Sequence, residues 1–155
     1  MKKALYMAAA VALLGMSACT GTSCDSKVCK TDDKVYTGVL PAADCDGIRY
    51  TLKLDYDDDH NYTDGDYDLL ETYIAADSTS ALGYKDLRSV KSEGDFTVVK
   101  TKDGKTGLKL VEEVRKGQQG ETMYFVVDSD STITMTNSDF ETAASGLNYT
   151  LKLAK

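Results

Sequence analysis

The sequence predicts an all-β domain of short antiparallel strands, closed into a barrel or packed as a sandwich. Three observations carry this. From Ile48 onward, Ile48, Tyr50, Leu52 and Leu54 alternate with Arg49, Thr51, Lys53 and Asp55, the period of a half-buried strand. After Gly94 come further short segments of strand character: Asp95–Thr101, Gly107–Glu112, Thr122–Asp128, Thr132–Thr136 and Asn148–Leu153. The separators are turn sequences, Lys102-Asp103-Gly104-Lys105, Arg115-Lys116-Gly117-Gln118-Gln119-Gly120 and Asp128-Ser129-Asp130. Many short strands at this spacing mean a closed barrel or a sandwich. Alternation places Ile48, Tyr50, Leu52, Leu54, Phe96, Val98, Leu108, Leu110 and Leu151 on the buried face.

The first element is a targeting segment, residues 1–18. Lys2 and Lys3 form a positive start, and Ala4–Leu14 is apolar but too short to cross a bilayer as a helix. Gly15-Met16-Ser17-Ala18-Cys19 then sets small residues before a cysteine, the requirement of lipoprotein signal peptidase. Cys19 is therefore expected to be the lipidated N-terminus. The alternative is an ordinary secretory signal that leaves Cys19 a free thiol. Thr20 follows, not an aspartate, so the outer membrane is the expected location, with membrane contact through the lipid anchor. Residues 19–34 read as a flexible tether rich in Ser, Thr, Asp, Lys and Gly, and residues 35–155 as the β domain.

Val35–Leu40 reads as the first strand, followed by a compact loop from Pro41 to Gly47 and the alternating strand beyond it. Pro41 fixes its own φ, and Asp44, Asp46 and Gly47 are residues that accept turn conformations. Asp55–Asp68 holds seven aspartates in fourteen positions and reads as a solvated turn between strands. A calcium loop fails on register. With Asp57, Asp59 and Asn61 at its first, third and fifth positions, the glycine position falls on Tyr62 and the closing glutamate position on Asp68. Tyr67–Ile74 suits a strand, whereas Ala75–Val90 lacks clean periodicity and reads as a long connection with a helical turn around Tyr84–Val90.

Composition narrows the function classes. A net charge of −7 leaves nothing to neutralise phosphates, so no nucleic acid partner is expected. The single histidine, His60, sits in the acidic run, and the chain has no Gly-x-Ser-x-Gly motif and no phosphate-cradling glycine loop, so no catalytic residues are assigned. The candidate reactive groups are thiols. Once Cys19 is acylated, Cys24, Cys29 and Cys45 remain, and an oxidising compartment permits at most one disulfide within that set. A tether bridge to Cys45, a local Cys24–Cys29 bridge and three reduced thiols all stay open.

The segment Tyr36-x-Gly38-x-Leu40-Pro41-x-Ala43-Asp44-Cys45-x-Gly47-Ile48 resembles the opening signature of the NlpE family, and Leu147-Asn148-Tyr149-Thr150-Leu151 looks like the strand that closes its N-terminal domain. The family comprises outer-membrane lipoproteins linked to copper resistance and envelope-stress signalling. The resemblance implies a small lipocalin-like barrel, the N-terminal domain only, acting without catalysis through contacts with an envelope protein that the sequence does not name. Ala42 stands where the family's loop has its first cysteine, which removes the paired thiols that would clamp Cu(I). No cofactor or metal set is assigned, and weak copper or divalent-ion binding is the most that is expected. Met123 and Met135 sit in strand patterns and are expected to pack inward. The other readings of such a barrel are a binding module for a small apolar ligand and a structural surface lipoprotein. Interior side chains that fill the barrel, or a cavity of several hundred cubic ångströms, separate the first reading from the second.

Overall fold

In a computed structural model, which describes residues 33–57 and 62–155, eight strands follow one another around a closed antiparallel barrel. They are β1 (Lys34–Leu40), β2 (Gly47–Tyr56), β3 (Asp64–Ala76), β4 (Tyr84–Lys100), β5 (Thr106–Glu112), β6 (Thr122–Ser129), β7 (Thr132–Thr136) and β8 (Thr150–Leu153). Each strand pairs with its successor, and β8 returns to β1 through Tyr36↔Leu153 and Thr37↔Lys152, so the sheet closes on itself. Gly38 lies at this closure. A Cβ there would stand 2.9 Å from the Leu151 Cδ2 and the Thr150 carbonyl oxygen, so only glycine lets β8 come this close. Among the described residues there is no helix.

The core follows from the alternation. Tyr36 and Leu40 on β1, Tyr50, Leu52 and Leu54 on β2, and Tyr67 and Leu69 on β3 face inward. Phe96, Leu108, Leu110, Phe125, Ile133 and Leu151 complete the cluster from the remaining strands. Ile48, Val98, Met123 and Met135 are half-buried against it. Large side chains at most inward positions, with Gly38 and Gly65 among the exceptions, fill the interior as an eight-strand barrel requires.

Two expectations are corrected. Ala75–Val90 is neither a long connection nor the site of a helical turn: β3 runs on to Ala76, and β4 starts at Tyr84. Only residues 77–83 connect them, in a turn closed by Asp77 N–H to the Gly83 carbonyl (3.0 Å) and capped by the Asp77 carboxylate on Thr79. The sequence pattern fails here because Lys85–Val90 is exposed on both faces, so no burial imposes alternation on it. Pairing with β3 alone keeps it extended, with a register shift at Tyr73/Ile74. The acidic run also reaches further into strand than expected: Asp55 and Tyr56 end β2, and Asp64–Asp68 begin β3. Asp66 and Asp68 project outward from β3 while Gly65, Tyr67 and Leu69 between them are buried.

Burial of tyrosines has a measurable consequence. Burial, and next the neighbouring Tyr36, pushes Tyr56 up to about 12. Tyr67 also rises to about 12, through burial and then Glu112. Tyr50 rises further still through burial and then Glu71, and Tyr36 is raised by burial and then by Asp130. Each folded-state value exceeds the ordinary 10.0, so these phenols cost no stability below pH 10 and favour unfolding as pH climbs from there towards 12. Phenolate absorbance should show these tyrosines ionising late and together with loss of the far-UV strand signal. Smooth early ionisation of every tyrosine would contradict their burial.

Packing makes a second, independent prediction. Leu110→Ala, at a fully buried position, should cost ~2–5 kcal/mol in urea unfolding. Leu147→Ala, at a position 57% exposed, should change stability by less than about 0.5 kcal/mol. Equal losses at the two positions would show that the inward assignment is wrong.

Candidate functional site

Because neighbouring strands alternate in direction, connections 41–46, 77–83, 113–121 and 137–149 gather at one end of the barrel. The chain enters β1 at Lys34, at the opposite end. The signature loop therefore belongs to a rim of four connections, one barrel length from the point of entry.

Residue by residue, the signature is mainly a building instruction. Tyr36 and Leu40 are core side chains, Gly38 admits β8, Gly47 is buried at the start of β2, and Ile48 packs against the core. Pro41 is half-buried as the strand turns off the sheet, and Asp44 is exposed. Asp46 ties the loop to the neighbouring hairpin: its carboxylate accepts the Ala76 N–H at 2.7 Å, and its own N–H donates to the Ile74 carbonyl at 3.2 Å. Cys45 is half-buried, and its thiol donates to the Gly47 carbonyl at 3.1 Å. Arg49 ties β2 to β4, donating to both Asp86 carboxylate oxygens (3.1 and 2.9 Å) and to the Tyr84 hydroxyl (3.1 Å). With the Tyr84 hydroxyl as the larger cause, this pairing raises the Arg49 pKa.

Cys45 is the thiol that the described residues contain. Cys19, Cys24, Cys29, His60, the signal segment and most of the tether lie outside them, so the lipidation and disulfide expectations do too. Among the described residues, no group of three His, Cys, Asp or Glu side chains is placed to hold a metal ion.

A second feature of the same end was not singled out in the sequence. Glu71 shares the inward parity of Tyr67 and Leu69 on β3, and it sits opposite Tyr50 on β2 and Val90 on β4. Glu112 ends β5 opposite Gly94, and its carboxylate accepts the Glu121 N–H at 3.0 Å. With Tyr50, Tyr67 and Tyr73 these glutamates make an acidic, aromatic mouth. The Tyr67 hydroxyl is buried there without a hydrogen-bond partner. Ser92 nearby opposes its pKa rise, but not at hydrogen-bonding geometry. The Arg88 guanidinium lies 3.9 Å over the Tyr73 ring. The legible signal was an acid at an inward strand position, where a strand buried on one face ordinarily carries an apolar residue.

A separate cleft of ≈ 360 Å³ opens at the rim between the end of β7 and the returning 137–149 connection, lined by Met135, Thr136, Asn137, Thr142 and Tyr149 among others. It lies beside the filled strand core.

Comparison with known proteins completes the picture. No curated protein and no solved structure matches the chain. Residues 36–146 match the NlpE N-terminal domain, an envelope-associated family, and the match begins at Tyr36 of the signature and takes in most of β1 and all of β2 to β7. The chain belongs to the NlpE N-terminal domain family.

Proposed function

We propose that the protein is a non-enzymatic lipoprotein of the outer membrane, anchored through Cys19, that takes part in envelope- or copper-stress signalling or surface sensing through protein contacts at its loop end. Family membership supports the envelope setting. The observation that carries the rest is the layout of the barrel. The chain enters at one end, and four connections with the signature loop gather at the other. Cys19 precedes β1, whose start lies at the end of the barrel opposite that rim. The core supports a contact role over a ligand carrier, since Tyr36, Tyr50, Tyr67, Phe96 and Phe125 occupy the interior.

Overproduction of the full chain should induce envelope-stress transcripts, and Cys19→Ala, which removes both the anchor and fatty-acid labelling, should abolish that response. An unchanged transcript profile on overproduction, or a full response from an unlabelled Cys19→Ala protein, would refute the proposal.

The copper side of the reading is limited to weak binding. Tight Cu(I) binding requires at least two soft ligands held together, and the loop offers the Cys45 thiol with Asp44 and Asp46 as hard oxygen neighbours. Asp46 is already engaged by Ala76. In competition against a chromophoric Cu(I) chelator, the reduced protein should compete poorly and Ala42→Cys should compete far better. Equal competition by both, lost on Cys24→Ser or Cys29→Ser, would place a genuine metal site in the tether.

A further inference from the structure

The length of β4 is not explained by barrel closure. Its seventeen residues pair with β3 from Tyr84 to Thr97, but with β5 only from Gly94 to Lys100. From Lys85 to Ser92 one edge of β4 therefore faces no strand among the described residues. The direction of its backbone groups follows from the ladder. Val98 N–H donates to the Thr63 carbonyl at 2.6 Å, so Val98 turns towards β3. Residues of an antiparallel strand alternate in this respect, which turns Ser89, Lys91 and Glu93 towards the open edge. Glu113 N–H, reaching the Glu93 carbonyl at 2.8 Å, fits that assignment. Ser89 and Lys91 thus each present an N–H and a C=O at the two-residue spacing that an incoming strand uses. Leu87 and Val90, 54% and 42% exposed, add apolar surface beside them.

The inner face at this edge is acidic. Val90 stands opposite Glu71, and Glu112 and Glu121 begin the far side of the gap where β5 turns away. Tyr67 is 2% exposed, and its hydroxyl is buried there without a hydrogen-bond partner. On the same inner face, two positions from Val90, the Arg88 guanidinium lies 3.9 Å over the Tyr73 ring.

We propose that the open edge of β4, through Ser89 and Lys91, accepts an added β-strand from a partner protein, an extended segment whose inward side chain is a lysine or arginine facing Glu71, Glu112 and Glu121. Main-chain pairing supplies the attachment, and the carboxylates select the side chain. The inference deepens the contact role proposed above by naming the chemistry of the partner. It is tested by binding in vitro, which succeeds or fails independently of any transcriptional response.

The probe is a fluorescent peptide of about eight residues, an ordinary strand length, alternating valine with lysine. Its binding to the full-length protein in detergent is followed by anisotropy, beside the same peptide with glutamate for lysine. The lysine peptide should bind saturably and the glutamate peptide should not. Glu71→Gln combined with Glu121→Gln should weaken binding about tenfold or more. Lys91→Pro removes an N–H that points away from β3 and places a ring on the open edge, so it should abolish binding with the far-UV spectrum unchanged. A lysine peptide N-methylated at alternate residues tests the pairing without altering the protein, and it too should fail to bind. The proposal is overturned by absent binding, by equal binding of the two peptides, by unimpaired binding of the N-methylated peptide, or by self-association through this edge that Lys91→Pro abolishes.

Discussion

Closure of β8 onto β1 is the constraint on which the rest depends. A sheet edge left open carries unpaired backbone groups, and a small curled sheet keeps water from its inner face only if its first and last strands meet. Here the meeting is short: β8 has four residues, and its direct partners on β1 are Tyr36 and Thr37. Gly38 removes the Cβ that would keep Leu151 away, and the Asn148 side chain, donating to the Val39 carbonyl at 3.3 Å, holds the approach to β8 against β1. Once closed, the inward rows share one interior, and the alternation of β2 becomes a core instead of one face of an open sheet.

Closure also explains why the signature residues do so little chemistry. Tyr36, Gly38, Leu40, Gly47 and Ile48 are consumed by the strands and their junctions, while Asp46 secures the loop to the end of β3. Of the signature, Asp44 and the half-buried Cys45 thiol remain at the rim beside the neighbouring connections. A sequence motif can therefore identify a family through residues that build its scaffold. With Ala42 in the loop, the scaffold persists while the loop itself carries Cys45 as its one thiol.

The sheet is not uniform. β3 and β4 are the longest strands, and their shared ladder extends past the point where β5 turns away. That stretch is held by backbone pairing, by Arg49 bridging to Asp86 and Tyr84, and by a hydroxyl contact between Thr72 and Ser89 at 3.0 Å. It has few buried apolar contacts of its own, which places it among the least stable parts of the fold and among those most available to a partner.

The sequence alone determined the strand class and most of the interior. Period-two alternation is a local property, legible at Ile48–Leu54 and in β5, β6 and β7, and the turn residues between strands are read directly. β7 was placed to the residue, at Thr132–Thr136. The family was legible too, because the residues that make the β1–β2 junction are special in kind. Only the tertiary structure decided the course of Tyr84–Val90. An exposed strand carries no hydrophobic period, and its conformation comes from a partner strand that lies about a dozen residues earlier in the chain. For the same reason the acidic mouth was hidden. Glu71, Glu112 and Glu121 are unremarked acids along the chain, and they become neighbours of Tyr67 only when barrel closure and register bring β3, β5 and β6 to one end.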